Sequence, residues 1–321
     1  MKKAVISIGG NAILRAAEEP TQENQQRNIA HTCRRLADLI QRGYDIVITH
    51  GNGPQVGNIL RRNEIAKGEA SPMSLDVCGA ESQGQVGYML QQTLSSEFLE
   101  RGVDRVAVSL ITQVIVSEDD PAFGNPAKPI GKFYSAEEAE KLVKQKGWKM
   151  VLDKKRSGYR RVVPSPIPIG IVEEKPIRRL AFAGAGQAEV VIACGGGGIP
   201  VVMRDGRYVG VEAVVEKDLA AAVLATSLKG QLFVMTTDVE NVFLDFGKIT
   251  QRPIQRASLP EIRRLREEGH FSPGTMDPKI VAAIKFLEGG GEEVVITTTD
   301  KLVTSLEEGA GTHIHGDDSR A

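Results

Sequence analysis

The stretch DIVITHGNGPQVG, residues 45–57, decides how the chain folds. Asp45–Thr49 is a short run of β-branched and apolar residues, continuous rather than alternating. Such a strand is buried on both faces, as in a parallel sheet covered by helices. Gly51, Asn52 and Gly53 then turn the chain, and Pro54 fits the first position of a helix over 54–67. The spacing Gly51-x-Gly53-x-x-x-Gly57 matches neither the dinucleotide fingerprint nor the Walker loop. Taken alone, the motif is explained well enough as a tight strand-to-helix turn.

The same rhythm extends in both directions. Strands are expected over 3–8, 105–116, 190–194, 200–203, 231–236 and 293–298. Helices are expected over 21–42, 80–101, 135–147, 176–188, 216–228, 258–269, 277–288 and 300–308. The first helix has Thr21 as N-cap, apolar positions 29, 33, 36 and 40, and a stop at Gly43. Alternation of this kind implies an α/β fold with a mainly parallel sheet. MRDGRYVG (203–210) reads as a hairpin turning at Asp205-Gly206. The Pro-, Lys- and Arg-rich segment 119–174 interrupts the pattern and reads as a small protruding subdomain.

Glycine accounts for 34 of 321 residues, above the usual ~7%, and it clusters. IGGNA (8–12), HGNGPQVG (50–57) and CGGGGIP (194–200) each follow a strand. Ligands of open α/β sheets bind outside the carboxyl ends of the strands, where such loops can aim backbone N–H groups at an anion. Two lysines reinforce this reading. Lys217 falls in the first turn of its helix beside Asp218. Lys279 falls in the first turn of another, where Asp277 reads as N-cap and Pro278 as N1. A cation there opposes the helix dipole by ~0.3–1 kcal/mol, a cost that a bound anion offsets. Lys128, held between Pro126 and Pro129, is a third candidate, although alone it reads as an ordinary loop lysine. Phosphoryl transfer depends mainly on positioning and charge neutralisation, and no nucleophile triad or H-E-x-x-H helix competes. The residues therefore point to a kinase outside the P-loop and protein-kinase classes.

Composition bounds the alternatives. Hydrophobic residues make up 41%, charged residues 25%, and the net charge is −1, which gives no electrostatic reason to expect nucleic acid or an anionic membrane as partner. Met1-Lys2-Lys3 leads into a strand-like run rather than a secretory h-region, and no apolar run is long enough to span a bilayer, so a cytoplasmic location is expected. Cys33, Cys78 and Cys194 form neither a disulfide framework nor a zinc pattern. Cys33 reads as core, and His313-x-His315 as polar tail. A nicotinamide dehydrogenase fails for want of G-x-G-x-x-G opening a helix.

On motifs that run nearly end to end, the chain resembles the carbamate kinases, a branch of the amino-acid kinase family. They include IGGNA, HGNGPQVGN (50–58), LDVCGAESQGQVGYMLQQ (75–92), DPAFGNPAKPIGKFY (120–134), GYRRVVPSPIP (158–168), GVEAVVEKDLAA (210–221), TDVENVFLDFGK (237–248) and GTHI (311–314). The resemblance implies a three-layer αβα sandwich in a homodimer. Residues 1–188 would hold carbamate or carbamoyl phosphate, and 189–321 would hold ATP or ADP with Mg²⁺. It further implies that Gly9, Gly10, Asn11, Gly51, Asn52 and Gly53 cradle the reacting end of the substrate. Lys128, Lys217 and Lys279 would stabilise the negative oxygens and Asp218 would orient lysines, while Asp238, Phe243 and Met276 would lie around the nucleotide. No residue is expected to ligate a metal directly. Ser7 stands where other family members carry a lysine; the carbamate kinase pattern lacks that lysine too and supplies Lys128 from the protruding segment.

Three positions depart from that pattern. Glu216 replaces an aspartate, Asp277 replaces a glycine, and Ser74 replaces a proline. Asp277 is expected to weaken nucleotide affinity without abolishing turnover. Two alternatives remain at this point: a kinase for another small acid, and a non-catalytic sensor of nucleotide or carbamoyl phosphate.

Overall fold

The computed structural model describes residues 2–15, 17–153, 157–184 and 188–316. The chain opens with β1 (Lys2–Ile8), α1 (Gln22–Gln41), β2 (Tyr44–His50), α2 (Gly53–Ile65), α3 (Leu75–Arg101) and β3 (Ala107–Ser109). Next come β4 (Gln113–Val116), β5 (Lys128–Tyr134), α4 (Ala136–Lys146), β6 (Lys149–Asp153), β7 (Gly158–Val163), β8 (Pro168–Ile171) and α5 (Glu174–Ala181). The chain continues through β9 (Val190–Ile192), β10 (Ile199–Arg204), β11 (Arg207–Gly210), α6 (Lys217–Ser227), β12 (Leu232–Thr237), β13 (Val242–Leu244) and β14 (Arg252–Ile254). It closes with β15 (Arg256–Ser258), α7 (Leu259–Glu267), α8 (Asp277–Glu288), β16 (Glu293–Thr298), α9 (Leu302–Glu308) and β17 (Thr312–His315).

The main sheet runs in the order β15-β17-β16-β12-β1-β2-β9-β3. Within it β17 is antiparallel to β16, and the pairings from β16 through β3 are parallel. Every residue of β2 is buried, as its continuous apolar run requires. Alternate side chains enter two cores. Val5 and Val47 face a cluster with α6, α7 and α8, whereas Ile6, Ile46 and Ile48 face one with α1, α3 and α9. Helices thus cover both faces, giving the αβα layers. α6 is deeply enclosed: Ala220, Ala221, Ala222 and Ala225 are at most 1% exposed, and their small side chains let it lie close beneath β1. No helix among the described residues is long and apolar enough to cross a membrane.

Several boundaries differ from expectation. The run 105–116 is two strands in different sheets, β3 in the main one and β4 in a four-stranded sheet with β8, β10 and β11. Gln83 marks the break: its amide accepts from Thr112 N at 2.8 Å and donates to Thr112 O at 3.2 Å, while Thr112 O also accepts from Ile199 N of β10 at 2.9 Å. α3 starts at Leu75 rather than 80, with Ser74 at its N-cap and Leu75 N donating to Glu212 at 2.7 Å. α5 ends at Ala181, and part of its expected extension, 185–187, lies outside the described residues. The 119–174 segment folds as a three-stranded sheet, β5-β7-β6, with α4, but β8 returns to pair with β4. His313 and His315 are not tail residues; they lie in β17, paired on both sides.

Candidate active site

The register of the main sheet aligns three glycine loops. β1 and β2 end together, Ile8 opposite His50, so Gly9–Asn11 and Gly51–Gly53 emerge side by side. On the other flank Ser7 pairs with Met235, and Gly9 N donates to Thr236 Oγ1 at 3.0 Å. A Cβ at Gly9 would lie 2.7 Å from the Thr236 carbonyl oxygen, so only glycine allows that approach. Gly196, at φ +67, brings the third loop against Asn52, where a Cβ would sit 2.0 Å from the amide.

Into this crevice α6 and α8 point their N-termini. Lys217 and Asp218 open α6, and Lys279 lies in the first turn of α8. Asp218, 3% exposed, bridges the lysines: Lys217 Nζ lies 2.8 Å from one carboxylate oxygen and Lys279 Nζ 2.6 Å from the other. Ser7 Oγ donates to Asp218 at 2.8 Å and accepts from Lys217 at 2.7 Å. Burial works against an ionised Asp218, but Lys217 and Lys279 outweigh it and hold its pKa well below the usual carboxylate range. Burial pushes Lys217 down, against the pull of Asp218. Two ammonium groups and one carboxylate leave a positive excess beside two helix N-termini, an arrangement that favours an incoming anion.

Lys128, from β5, ion-pairs with Glu216 at the N-cap of α6. The protruding sheet thereby brings its lysine next to Lys217. Two clefts meet there. The larger, about 640 Å³, is lined by Gly9, Gly10, Asn11, Asp238, Lys279 and their neighbours. The smaller, about 210 Å³, is lined by Gly51, Asn52, Gly53, Lys128 and Arg160. Glu216 and Lys217 line both.

Phe243 and Met276 line neither cleft. Phe243 packs toward Phe246 with centroids 6.1 Å apart, and Met276 packs half-buried against the core. Met276, not Asp277, occupies the N-cap of α8, so Pro278 and Lys279 each stand one position further into the helix than expected. The Asp277 carboxylate instead accepts from Arg266 Nε at 2.7 Å, so its negative charge is met locally by a guanidinium.

His50 and Arg160 were not singled out by sequence. Arg160 is one of two adjacent arginines in GYRRVV, and only its strand register turns it to the cleft. His50 is fully buried at the end of β2, with Nδ1 2.9 Å from the Gly51 carbonyl. Burial lowers its pKa from 6.5 to about 4, so it is a neutral packing element beneath the glycine loops. Between those values the unfolded chain binds the extra proton, so stability falls as pH drops from about 6.5 toward 4. The expected contribution is on the order of 3 kcal/mol. His50→Gln should flatten this limb of a plot of Tm against pH; an unchanged slope would refute the assignment.

The signature of the amino acid kinase family matches residues 2–298, and the chain belongs to that family of phosphotransferases. The carbamate kinase of Pyrococcus furiosus is 44% identical over 317 residues, covering 98% of this chain and 99% of the relative. That of Thermococcus kodakarensis is 46% identical over 319 residues, with the same shares. Among solved structures, carbamate kinase from Giardia lamblia bound to AMP-PNP superposes with a TM-score of 0.92 at 38% identity, covering 98% of this chain and 99% of that one.

Proposed function

We propose that the protein catalyses reversible phosphoryl transfer between ATP and carbamate, giving ADP and carbamoyl phosphate. The observation that carries this reading is the junction of two clefts at Lys217, with Lys128 on one side and Lys279 on the other. The nucleotide occupies the larger cleft, past Asp238, and the small acid occupies the smaller one under Gly51–Gly53. A carbamate oxygen, already anionic, attacks the γ-phosphorus as the bond to the ADP oxygen breaks, so no general base is needed. Gly9, bonded to Thr236, sets the loop so that Gly10 and Asn11 supply backbone donors around the migrating group, and the lysines hold its oxygens. Asp218 and Glu216 are committed to lysines, which fits Mg²⁺ arriving on the nucleotide rather than in a protein cage. The ion then supplies charge neutralisation on the phosphates.

In the cell the reaction runs toward ATP, in arginine or purine catabolism, in the cytoplasm. The chain divides the labour at about residue 188, with the acid held chiefly by the first part and the nucleotide by the second. It acts as a homodimer: α3 exposes Val77, Tyr88 and Leu99 at eleven-residue intervals on one stripe, a face suited to a second copy.

A coupled assay of ATP formation from MgADP and carbamoyl phosphate tests the reading. Lys128→Ala should lower kcat by about 10²-fold and raise the KM for carbamoyl phosphate, because Lys128 lines only the smaller cleft. The KM for ADP should stay within a few-fold. No ATP formation by the unmodified protein would overturn the proposal.

A further inference from the structure

At the opposite end of the main sheet from the lysines, Glu293, His313 and His315 converge. Glu293 begins β16 and lies directly opposite His315 in the antiparallel pair with β17. His313 and His315, two residues apart on one strand, point to the same face. One ligand atom from each residue lies within 4.8 Å of the other two.

Their hydrogen bonds show how the group is prepared. The Nε2 of His313 lies 3.0 Å from the Ala310 carbonyl, a contact that holds the ring with Nδ1 turned toward Glu293. Nδ1 lies 2.6 Å from Glu293 Oε1, a contact in which a metal ion would take the place of the shared proton. A backbone carbonyl that fixes the other ring nitrogen is the usual outer-shell support of a metal-bound histidine. The Nε2 of His315 is buried with no hydrogen-bond partner, 3.8 Å from the same carboxylate oxygen.

We propose that Glu293, His313 and His315 form a site for a divalent transition-metal ion, with Zn²⁺ the ion their chemistry suits best. Two imidazoles and a carboxylate are a favoured donor set for this borderline ion. Tetrahedral ligands at about 2.0–2.1 Å stand about 3.3 Å apart, so the three atoms need shift by only about 1 Å. The His315 side chain is 40% exposed, so solvent reaches the edge of the cluster. Such an ion ties the last strand to β16. About 17 Å of strand separates the site from Thr298, at the rim of the larger cleft, so the ion takes no part in phosphoryl transfer.

Zn²⁺ uptake by the full chain, measured by competition with a chromophoric chelator, tests the proposal. One equivalent should bind, uptake should be lost in His315→Ala, and affinity should fall at least about tenfold in Glu293→Gln. Added Zn²⁺ should raise Tm in the unmodified protein but not in His315→Ala, while both form ATP at the same rate. Failure to bind one equivalent, or equal uptake and equal Tm shift in His315→Ala, would mean a hydrogen-bonded imidazole–carboxylate cluster only and would overturn the site.

Discussion

Lys217→Ala is expected to lower kcat by about a thousandfold and to move the KM values for ADP and carbamoyl phosphate only a few-fold. Lys217 is the cation shared by the two clefts, so its ammonium meets the phosphoryl group where transfer occurs. Its orientation is fixed by Asp218, by Ser7 Oγ at 2.7 Å and by the Ile8 carbonyl at 3.3 Å. The last contact is the weakest, and a phosphoryl oxygen displaces it at little cost. Charge on that oxygen grows in the transition state, so the interaction strengthens there and its loss falls on kcat. Asp218 keeps Lys279 as an ionic partner in this variant, so Tm should fall modestly and serves as the folding control. Lys217→Arg should not restore the rate, because a planar fork cannot occupy a point-charge position enclosed on three sides. Near-normal turnover in Lys217→Ala would remove the basis of the proposed mechanism.

Why the lysines were legible, and much around them was not, has a physical reason. Lys217 and Lys279 stood out because each offends a local rule, a cation in a helix first turn, and the offence is visible within a few residues. α1 was legible for similar reasons: Thr21 accepts from Asn24 N at 3.2 Å, and Gly43, at φ +82, ends the helix. The hairpin turn at Asp205-Gly206 has positive φ at both residues, as that pair of residue types prefers. By contrast, the split of 105–116 is marked by Gln83, on a distant helix. The pairing of Lys128 with Glu216 joins residues 88 positions apart, so the Glu216 departure could be noticed but its partner could not. His313 and His315 looked like tail because polar residues so near the end carry no strand signal. Their strand exists because β15 and β16 supply ladder partners on both sides.

Asp218→Asn should separate binding from turnover more cleanly than any lysine variant. The asparagine keeps the shape and can still accept from Ser7, but the two ammonium groups lose the charge that holds them together. We expect kcat to fall by at least about 10²-fold, because small displacements of charged groups at a transferring centre cost that much. Nucleotide affinity should hold or improve, since the crevice gains a net positive charge and an anion now relieves the repulsion. Stability should drop by about 3–5 kcal/mol, as expected when one partner of a buried ion cluster is removed. The acid limb of the Tm profile should also flatten. The depressed pKa of Asp218 contributes stability that is present above about 3.8 and lost as pH falls below it, and asparagine has no such proton to take up. Inorganic phosphate should raise Tm more in this variant than in the unmodified protein, because there it replaces the missing negative charge. A merely structural aspartate would lower Tm without that selective rescue and without parting kcat from KM. Should Asp218→Asn turn over within a few-fold of normal, the carboxylate would not be orienting the lysines at all.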